Sequence, residues 1–209
     1  MHDQATTQDP ATTLEDWRHF EPLRLSPILS HAMEAFAEHG YHGTSVRDIA
    51  RRVGQTVPAI YYHFENKQAL LFTLITESLQ DAQQRCRMAE EEAGTDPIDR
   101  FRTLITCIVL YIANRRELSF LEGEIRSLEP DKRDACVAMR DEVEHMVVAA
   151  IEDGVAQQRF TTPHPPADAA RAVLAMCLGV AAWYRPDGRL TPEQLAERYV
   201  DFALGAVGG

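Results

Sequence analysis

The chain has 209 residues, 45% of them hydrophobic and 25% charged, and its net charge is −11. This length fits one large domain, or a small domain joined to a larger one, with enough apolar residues for a buried core. The overall acidity excludes a protein that coats nucleic acid without specificity.

Residues 1–22 are polar and acidic, contain Pro10 and Pro22, and show no sustained hydrophobic period. Such a segment is expected to be a flexible arm. Trp17 and Phe20 are large for a solvated arm and can dock locally. No basic and apolar signal precedes the first predicted helix, so we expect the protein in the cytoplasm.

Residues 23–69, which we call the head, begin with a predicted helix whose apolar stripe runs from Leu25 to Phe36 and which ends at Gly40. The head contains five basic and four acidic residues, a net charge of +1, so the rest of the chain carries −12. This small positive excess fits a modest DNA footprint that depends on pairing two heads.

The rest of the head predicts two short helices joined by a tight turn. Thr44 or Ser45 can cap the first, and Gly54 ends it because glycine adopts the left-handed backbone at no steric cost. Thr56 can cap the second, which has Pro58 in its first turn. This arrangement is typical of a helix-turn-helix, which presents its second helix to a DNA major groove.

The second helix has few side chains of the kind that read bases by paired hydrogen bonds, since no Arg, Asn or Gln lies between Thr56 and Phe64. We therefore expect specificity from methyl contacts, tyrosines and DNA shape. Thr44, Arg47 and Lys67 are predicted phosphate contacts. The alternative is an ordinary helical corner with solvated arginines. The predicted DNA-contacting residues are Thr44, Ser45, Arg47, Gln55, Thr56, Val57, Pro58, Ala59, Tyr61, Tyr62, His63 and Lys67.

Residues 70–209, which we call the body, carry apolar residues at helical spacing and no alternation typical of strands. We predict an all-α protein with about nine helices. The two longest uncharged runs fall short of the ~20 residues that span a bilayer, so no membrane partner is expected. After the head, the predicted helices cover about 66–92, 98–112, 117–128, 131–158, 167–184 and 191–206.

The middle helices of the body are expected to enclose an apolar pocket in which Arg140 meets a polar group; His145 is the alternative partner for that group. The alternative for each apolar side chain is ordinary core packing. The predicted pocket residues are Phe101, Ile105, Ile108, Tyr111, Phe120, Leu121, Met139, Arg140, Val143, Met146, Cys177 and Trp183.

The last two helices are the predicted dimer surface, because small and apolar side chains allow helices to approach closely. Packing within one chain is the alternative. The predicted interface residues are Ala169, Ala172, Val173, Met176, Gly179, Val180, Tyr199 and Phe202.

The four cysteines, Cys86, Cys107, Cys136 and Cys177, lie far apart with no Cys-x-x-Cys spacing. They predict buried thiols and neither a metal site nor a redox pair. We expect no cofactor.

The head resembles the TetR/AcrR family of transcriptional regulators over about 45 residues. Gln55 departs from the family, whose members commonly have valine there. The resemblance implies a DNA-binding dimer, usually a repressor, that responds to a small ligand. It is carried by the stripe of the first helix, Phe36, Gly40-Tyr41, Thr44-Ser45, Asp48-Ile49-Ala50, Val53-Gly54, Thr56, Ile60 to Phe64 and Lys67.

A second, shorter resemblance lies in the Trp-Tyr-Arg-Pro-Asp-Gly sequence that begins at Trp183. It is similar to actinobacterial-type members, several of which regulate lipid, fatty-acid or sterol catabolism and respond to acyl-CoA thioesters. With the apolar middle helices, it implies a hydrophobic effector of acyl-CoA or lipid type.

An enzyme is the alternative class. Glu142-Val-Glu-His145 matches the Glu-x-x-His of di-iron helical bundles, but no second copy occurs in the sequence. Neither a Gly-x-Ser-x-Gly elbow nor a phosphate-binding glycine loop is present. A purely structural helical adaptor would have no use for the DNA-facing side chains of the head. We therefore predict a regulator and not an enzyme.

Overall fold

The computed structural model describes residues 14–208, apart from the side chains of residues 117, 119 and 120. The described residues contain helices and no strand, which confirms the predicted all-α class. The helices are α1 Pro27–Gly43, α2 Val46–Val53, α3 Val57–His63, α4 Lys67–Ala93, α5 Pro97–Asn114, α6 Ser119–Glu124, α7 Pro130–Ala156, α8 Pro166–Leu178, α9 Val180–Trp183 and α10 Pro192–Val207, with 3-10 turns at Arg116–Leu118 and Ile125–Ser127.

The second and third helices of the head begin and end within one residue of the predicted positions, whereas α1 continues past its predicted end at Gly40 to Gly43. Ser45 and Asp48 form a capping box at the start of α2, and Gly54 ends it with φ 71° and ψ 27°. The Thr56 hydroxyl accepts a hydrogen bond from the Ala59 N–H at 3.3 Å and caps α3. Gly40, at φ 71°, breaks the helical conformation within α1.

Two predicted helices of the body are not continuous. The segment 117–128 forms two 3-10 turns around the short α6, whose ends have no side-chain cap and which contains Gly123. The segment 167–184 divides into α8 and α9 at Gly179, a residue of low helix propensity. In both segments the local sequence favours a continuous helix only weakly, so tertiary packing decides the backbone conformation.

The apolar residues form two clusters whose division does not follow the predicted boundary at residues 69 and 70. The cluster around α1–α3 also takes in Leu70 to Ile75 of α4 and four buried side chains from the segment 116–128. The other cluster lies between α5, α7, α8 and α10. α4 contributes to both clusters and therefore joins the head to the body.

Residues 14–22, which we call the strap, dock on the body, so the prediction of a flexible arm is wrong for them. Trp17 is 2% exposed, and its indole N–H donates to Glu92 Oε2 at 2.8 Å. The physical reason is that its large apolar ring joins the body cluster. The remaining arm residues, 1–13, lie outside the described residues.

One described segment, Pro166–Trp183, has the length and mean hydropathy (1.2) of a membrane-spanning helix, although its longest uncharged run is shorter. The criterion is one of length and composition alone. The segment includes Asp168 and Arg171 and is divided into α8 and α9 at Gly179. Only 22% of it is buried within the chain, so it presents an apolar surface.

Candidate DNA interface and cavity

α3 presents a row of exposed side chains to solvent. Tyr61 is 50% exposed and Tyr62 is 86% exposed, the largest exposure of any large apolar residue described. His63 lies edge-on to Tyr62, with ring centroids 5.1 Å apart. The other side of the helix holds Ile60, which is buried in the head cluster. A short helix anchored by one buried residue thus displays two phenol rings and an imidazole.

The residues before α3 fix its direction. The Gln55 N–H donates to the Ala50 carbonyl at 2.9 Å and closes the turn after α2. Val57, Pro58 and Ala59 form the first turn of α3, and none of them is buried. Small side chains at this position allow a groove wall to approach the backbone closely.

Thr44 was predicted as a phosphate contact, and its position contradicts that role. Its side chain is 2% exposed, and its hydroxyl donates to the carbonyls of Ala35 and Gly40, both at 2.9 Å. The hydroxyl closes the end of α1 and is not available to DNA. Ser45 remains exposed, and its hydroxyl is bonded to Asp48 in the capping box.

Lys67 is also engaged within the head. Its ammonium donates to the carbonyls of Tyr41 and Thr44 at 2.7 and 2.8 Å and lies 4.1 Å from the centre of the Tyr41 ring. Partial burial lowers the pKa of this lysine. Its first role is therefore to tie the start of α4 to the turn between α1 and α2.

The exposed cations of the head differ in their pairing. Arg51 forms a 2.6 Å ion pair with Asp48, and Arg52 pairs with Glu38 of α1. Arg47 is exposed and forms no ion pair with any residue in the described range 14–208. Arg47 is therefore the arginine of α2 that can meet a phosphate without breaking an existing pair.

A cavity of about 440 Å³ lies in the body, which is a typical volume for a small-molecule site. We call it the effector cavity, after the role that we propose for it below. Most of its wall is apolar and comes from α4, α5, the segment 116–128, α7 and the α8–α9 segment. The lining residues are Ile75, Ser78, Leu79, Ala82, Cys86, Ile108, Tyr111, Ile112, Arg115, Leu118, Leu121, Glu122, Ile125, Arg140, Val143, Glu144, Arg171, Leu174, Ala175, Leu178 and Ala181.

The sequence located the effector cavity only in part. The cavity adjoins the C-terminal half of α5, whereas the N-terminal half of that helix is packed in core, as the contact between Phe101 and Phe160 at 5.5 Å shows. The prediction of Phe101 and Ile105 as lining residues is wrong for this reason, and that of Cys177 is wrong because this residue of α8 is buried in the body cluster. The predictions of Met139, Met146 and Trp183 are also wrong, because neither methionine lines the cavity and Trp183 is half-exposed on the surface. Five predictions agree with the wall: Ile108, Tyr111, Leu121, Arg140 and Val143; the side chain of Phe120 lies outside the described residues.

Most of the missed wall residues belong to α4 and to the α8–α9 segment. The inward stripe of α4, with Leu79 and Ala82, is legible as helical periodicity in the sequence. Periodicity shows that a side chain points inward, but it does not show whether that side chain meets another helix or an open space.

The wall of the effector cavity includes a few polar groups. The Tyr111 hydroxyl donates to the Ser78 carbonyl at 2.7 Å, and burial raises the pKa of this phenol. Burial also raises the pKa of the Glu122 carboxyl, while nearby Arg140 acts in the opposite direction. Arg140 is exposed at the rim, and so is Arg171, which pairs with Glu144 and Asp168.

The effector cavity shares part of its wall with the core of the head. Leu118, Leu121 and Ile125 line the cavity and belong to the head cluster. The segment that carries them also bonds directly to the head, since Glu124 Oε1 accepts from the Tyr41 N–H at 3.3 Å. A molecule in the cavity would therefore touch side chains on which the head is packed.

The surface of α8–α10 exposes three large apolar side chains: Leu178 at 40%, Trp183 at 52% and Phe202 at 63%. Two residues predicted for a dimer interface there, Val173 and Val180, are buried in the core of their own chain, so that prediction is wrong for them. Of the others, Ala172, Gly179 and Phe202 are exposed, while Ala169, Met176 and Tyr199 are partly buried.

The proposed di-iron alternative finds no support in the geometry. Glu142 forms a 2.6 Å ion pair with Arg87, and His145 is exposed. Within residues 14–208, no three His, Cys, Asp or Glu side chains are grouped so as to hold a metal ion. All four cysteines are buried and free, as predicted.

Comparison with known proteins identifies both parts of the chain. Residues 28–74 match the family model described as bacterial regulatory proteins, tetR family, and residues 94–207 match the tetracyclin repressor-like C-terminal domain. The transcriptional repressor KstR2 from Rhodococcus jostii (strain RHA1) is 25% identical over 183 residues, which cover 87% of this chain and 89% of that protein.

Two solved structures extend the comparison. The regulator PfmR from Thermus thermophilus is 31% identical, with a TM-score of 0.76 over 87% of this chain and 99% of that chain. The regulator AibR, crystallised with isovaleryl coenzyme A and operator DNA, is 26% identical, with a TM-score of 0.75 over 84% of this chain and 95% of that chain.

Proposed function

The chain belongs to the TetR family of bacterial regulatory proteins, and we propose that it binds a palindromic operator as a dimer and is released by a small amphipathic effector. It is a DNA-binding transcriptional repressor and not an enzyme. A repressor acts where the chromosome is, so we place it in the cytoplasm.

For DNA recognition, we assign the groove-facing role to the exposed side of α3, with Tyr61, Tyr62 and His63. The first turn of α3 supplies small side chains for contact with thymine methyl groups, and Arg47 supplies a phosphate contact. Gln55 and Thr56 lie at the entrance of the groove. Lys67 acts by holding the turn that carries these residues.

For assembly, we assign the dimer interface to α8–α10. The support is the exposure of the large apolar side chains Leu178, Trp183 and Phe202 on these helices, together with the exposure of the small residues Ala172 and Gly179. Exposed apolar surface of this kind is unfavourable in water and is stabilised when a partner covers it. Two heads held by such an interface can reach successive major grooves.

For control, we assign the effector site to the cavity in the body. The observation that carries this proposal is the shared wall, since Leu118, Leu121 and Ile125 pack against both the cavity and the head. The apolar wall favours a hydrocarbon group. Arg140 and Arg171 at the rim favour an anionic group, as in an acyl thioester of coenzyme A or a fatty acid.

The ligand class is tested by thermal shift with isovaleryl-CoA, palmitoyl-CoA, free palmitate and coenzyme A alone. We expect stabilisation by at least one molecule that has both an acyl chain and an anionic group, and little by coenzyme A alone. The matched variant Arg140→Gln should weaken that stabilisation. The assignment is contradicted if none of the acylated molecules raises Tm.

A further inference from the structure

Two buried arginines connect the strap to the body. Arg85 of α4 is 3% exposed, and Arg115, which follows α5, is 7% exposed. Both pair with Asp81, through Arg85 Nε at 2.7 Å and Arg115 Nε at 3.3 Å. No second carboxylate among the described residues pairs with either guanidinium. Two buried cations thus share one acidic partner and need other polar groups nearby.

The strap supplies those groups from its backbone. The Arg85 Nη1 donates to the carbonyls of Trp17 and His19 at 2.8 and 2.9 Å, and the Arg115 Nη1 donates to the carbonyl of Glu21 at 2.8 Å. Trp17 lies in a turn closed by the His19 N–H, which donates to the Asp16 carbonyl at 3.1 Å, and this turn brings the carbonyls of Trp17 and His19 to the same guanidinium. The Phe20 ring lies 4.0 Å from the Arg85 guanidinium and 5.4 Å from that of Arg115.

The C-terminal end of the strap leads directly into the head. Leu23 and Leu25 pack against the head cluster, and the Ser26 hydroxyl accepts from the Leu29 N–H at 3.3 Å to cap α1. The head is therefore tied to the body twice, through α4 and through the strap. The two connections contact each other at the buried arginines, because Arg85 is part of α4 and both Arg85 and Arg115 donate to carbonyls of the strap.

Arg115 also reaches the effector cavity. Ser78, Arg115 and Leu118 line this cavity and also line a second one, of about 630 Å³, that lies between the strap and α4. Arg115 is the charged residue of the three. A ligand at this end of the effector cavity therefore lies beside the guanidinium that holds the carbonyl of Glu21.

We propose that Arg115 is a positioning residue that couples occupancy of the effector cavity to the strap and, through the strap, to α1 of the head. The inference rests on the proposed function, because it needs a ligand in the cavity and DNA at the head. A carbonyl or carboxylate oxygen of the ligand competes with Glu21 and Asp81 for the N–H groups of Arg115. Loss of the bond to Glu21 releases the tether close to the first turn of α1.

The first test needs neither ligand nor operator. Hydrogen exchange is measured over residues 17–26 in the wild type, in Arg115→Gln and in the control Arg87→Gln, which alters an exposed arginine of α4 paired with Glu142. We expect exchange to rise about 10-fold or more in Arg115→Gln only, because a buried charge-assisted hydrogen bond is lost. Equal exchange in all three proteins overturns the proposal.

A second variant guards against misfolding of Arg115→Gln. Phe20→Ala keeps both arginines and removes the strap ring that faces both guanidiniums and packs against the edge of the body cluster, 6.4 Å from the Tyr111 ring of α5. It should raise exchange over the same residues while the exchange of α7 stays unchanged. A strap that exchanges as slowly as in the wild type overturns the proposal.

The coupling itself is tested with a DNA fragment that the wild-type protein selects from a random-sequence library. Binding of this fragment should change the exchange of residues 17–22 in the wild type, and this change should be absent in Phe20→Ala, which a merely structural strap would not produce. A wild type that binds the fragment with no change in the strap overturns the coupling and leaves the proposed function standing. Failure to select any DNA overturns the proposed function, while the exchange of Arg115→Gln still decides whether Arg115 holds the strap.

Discussion

The recognition surface of the head and the effector cavity of the body are built in different ways. In the head, caps and turns set by neighbouring residues aim α3, and its outer side chains are left exposed. In the body, the cavity exists because α4, α5, α7 and α8 meet with space between them. The head can therefore lose a contacting side chain without unfolding, whereas the body depends on the close packing of the core that surrounds its cavity.

The largest expected effect breaks the packing of the body. A Cβ added at Gly154 of α7 would lie 2.1 Å from Cδ2 of Phe160, whose ring is buried against Phe101. Gly154→Ala should therefore lower the free energy of unfolding by about 1–3 kcal/mol, as overpacking does. Urea unfolding measures this. The control Gly205→Ala, where nothing lies within 4 Å of the added Cβ, should not destabilise the protein, and equal curves for the two variants would contradict the close contact.

The second effect separates recognition from stability within the head. Tyr62→Ala removes a side chain that is 86% exposed, so the selected operator should bind about 10-fold to 100-fold more weakly, with Tm unchanged. Lys67→Met should weaken operator binding and also lower Tm, because its ammonium holds two carbonyls. Fluorescence anisotropy and thermal melts distinguish the two. If Tyr62→Ala bound the operator as tightly as the wild type, the assignment of α3 as the DNA-contacting helix would be contradicted.

The third effect concerns the exposed apolar side chains of α8–α10. Phe202→Glu places a charge on the apolar surface of α10 and should weaken dimerisation about 10-fold or more, because exposed aromatic residues at interfaces often dominate binding. Analytical ultracentrifugation over a concentration series measures this. Arg87→Gln, on α4, is the control. An unchanged dimer, or a wild type that is monomeric at all concentrations, would place the interface elsewhere.

The smallest effect concerns pH and the anchor of the strap. Hydrogen bonds from Arg18 and then from Trp17 lower the pKa of Glu92 from 4.5 to about 2. Because the pKa of the folded state is depressed, the contribution to docking is complete above pH 4.5 and is lost as the pH falls toward 2. Half-exposed pairs contribute no more than about 1 kcal/mol.

This anchor can be followed by Trp17 fluorescence in a Trp183→Phe background. The emission should shift to longer wavelength across that acidic range, and the background that also carries Glu92→Gln should show no such transition. A transition of equal size in both proteins would assign it to other groups.

The sequence predicted those features that depend on neighbouring residues. The ends of α2 and α3, their caps and the inward position of Ile60 follow from local spacing and glycine punctuation. It mispredicted Thr44, because an exposed helix start and a buried helix end look alike in sequence. It also placed the pocket too close to the N-terminus of α5, since an apolar residue that lines a space and one that fills a core have the same periodicity. The docking of the strap on the body was not predicted, because its hydrogen bonds with Arg85 and Arg115 join residues that are far apart in the chain.

The link between the two regions is tested most directly by operator affinity as the effector cavity fills. The ligand that gives the largest thermal shift is titrated into the complex of the wild type with its selected operator, and in parallel into Ala82→Phe, in which an added ring occupies the cavity. We predict that operator affinity of the wild type falls as the ligand binds, while Ala82→Phe binds the operator and does not respond. A ligand that stabilises the wild type but leaves its operator affinity unchanged would contradict the proposed control of the head by the cavity.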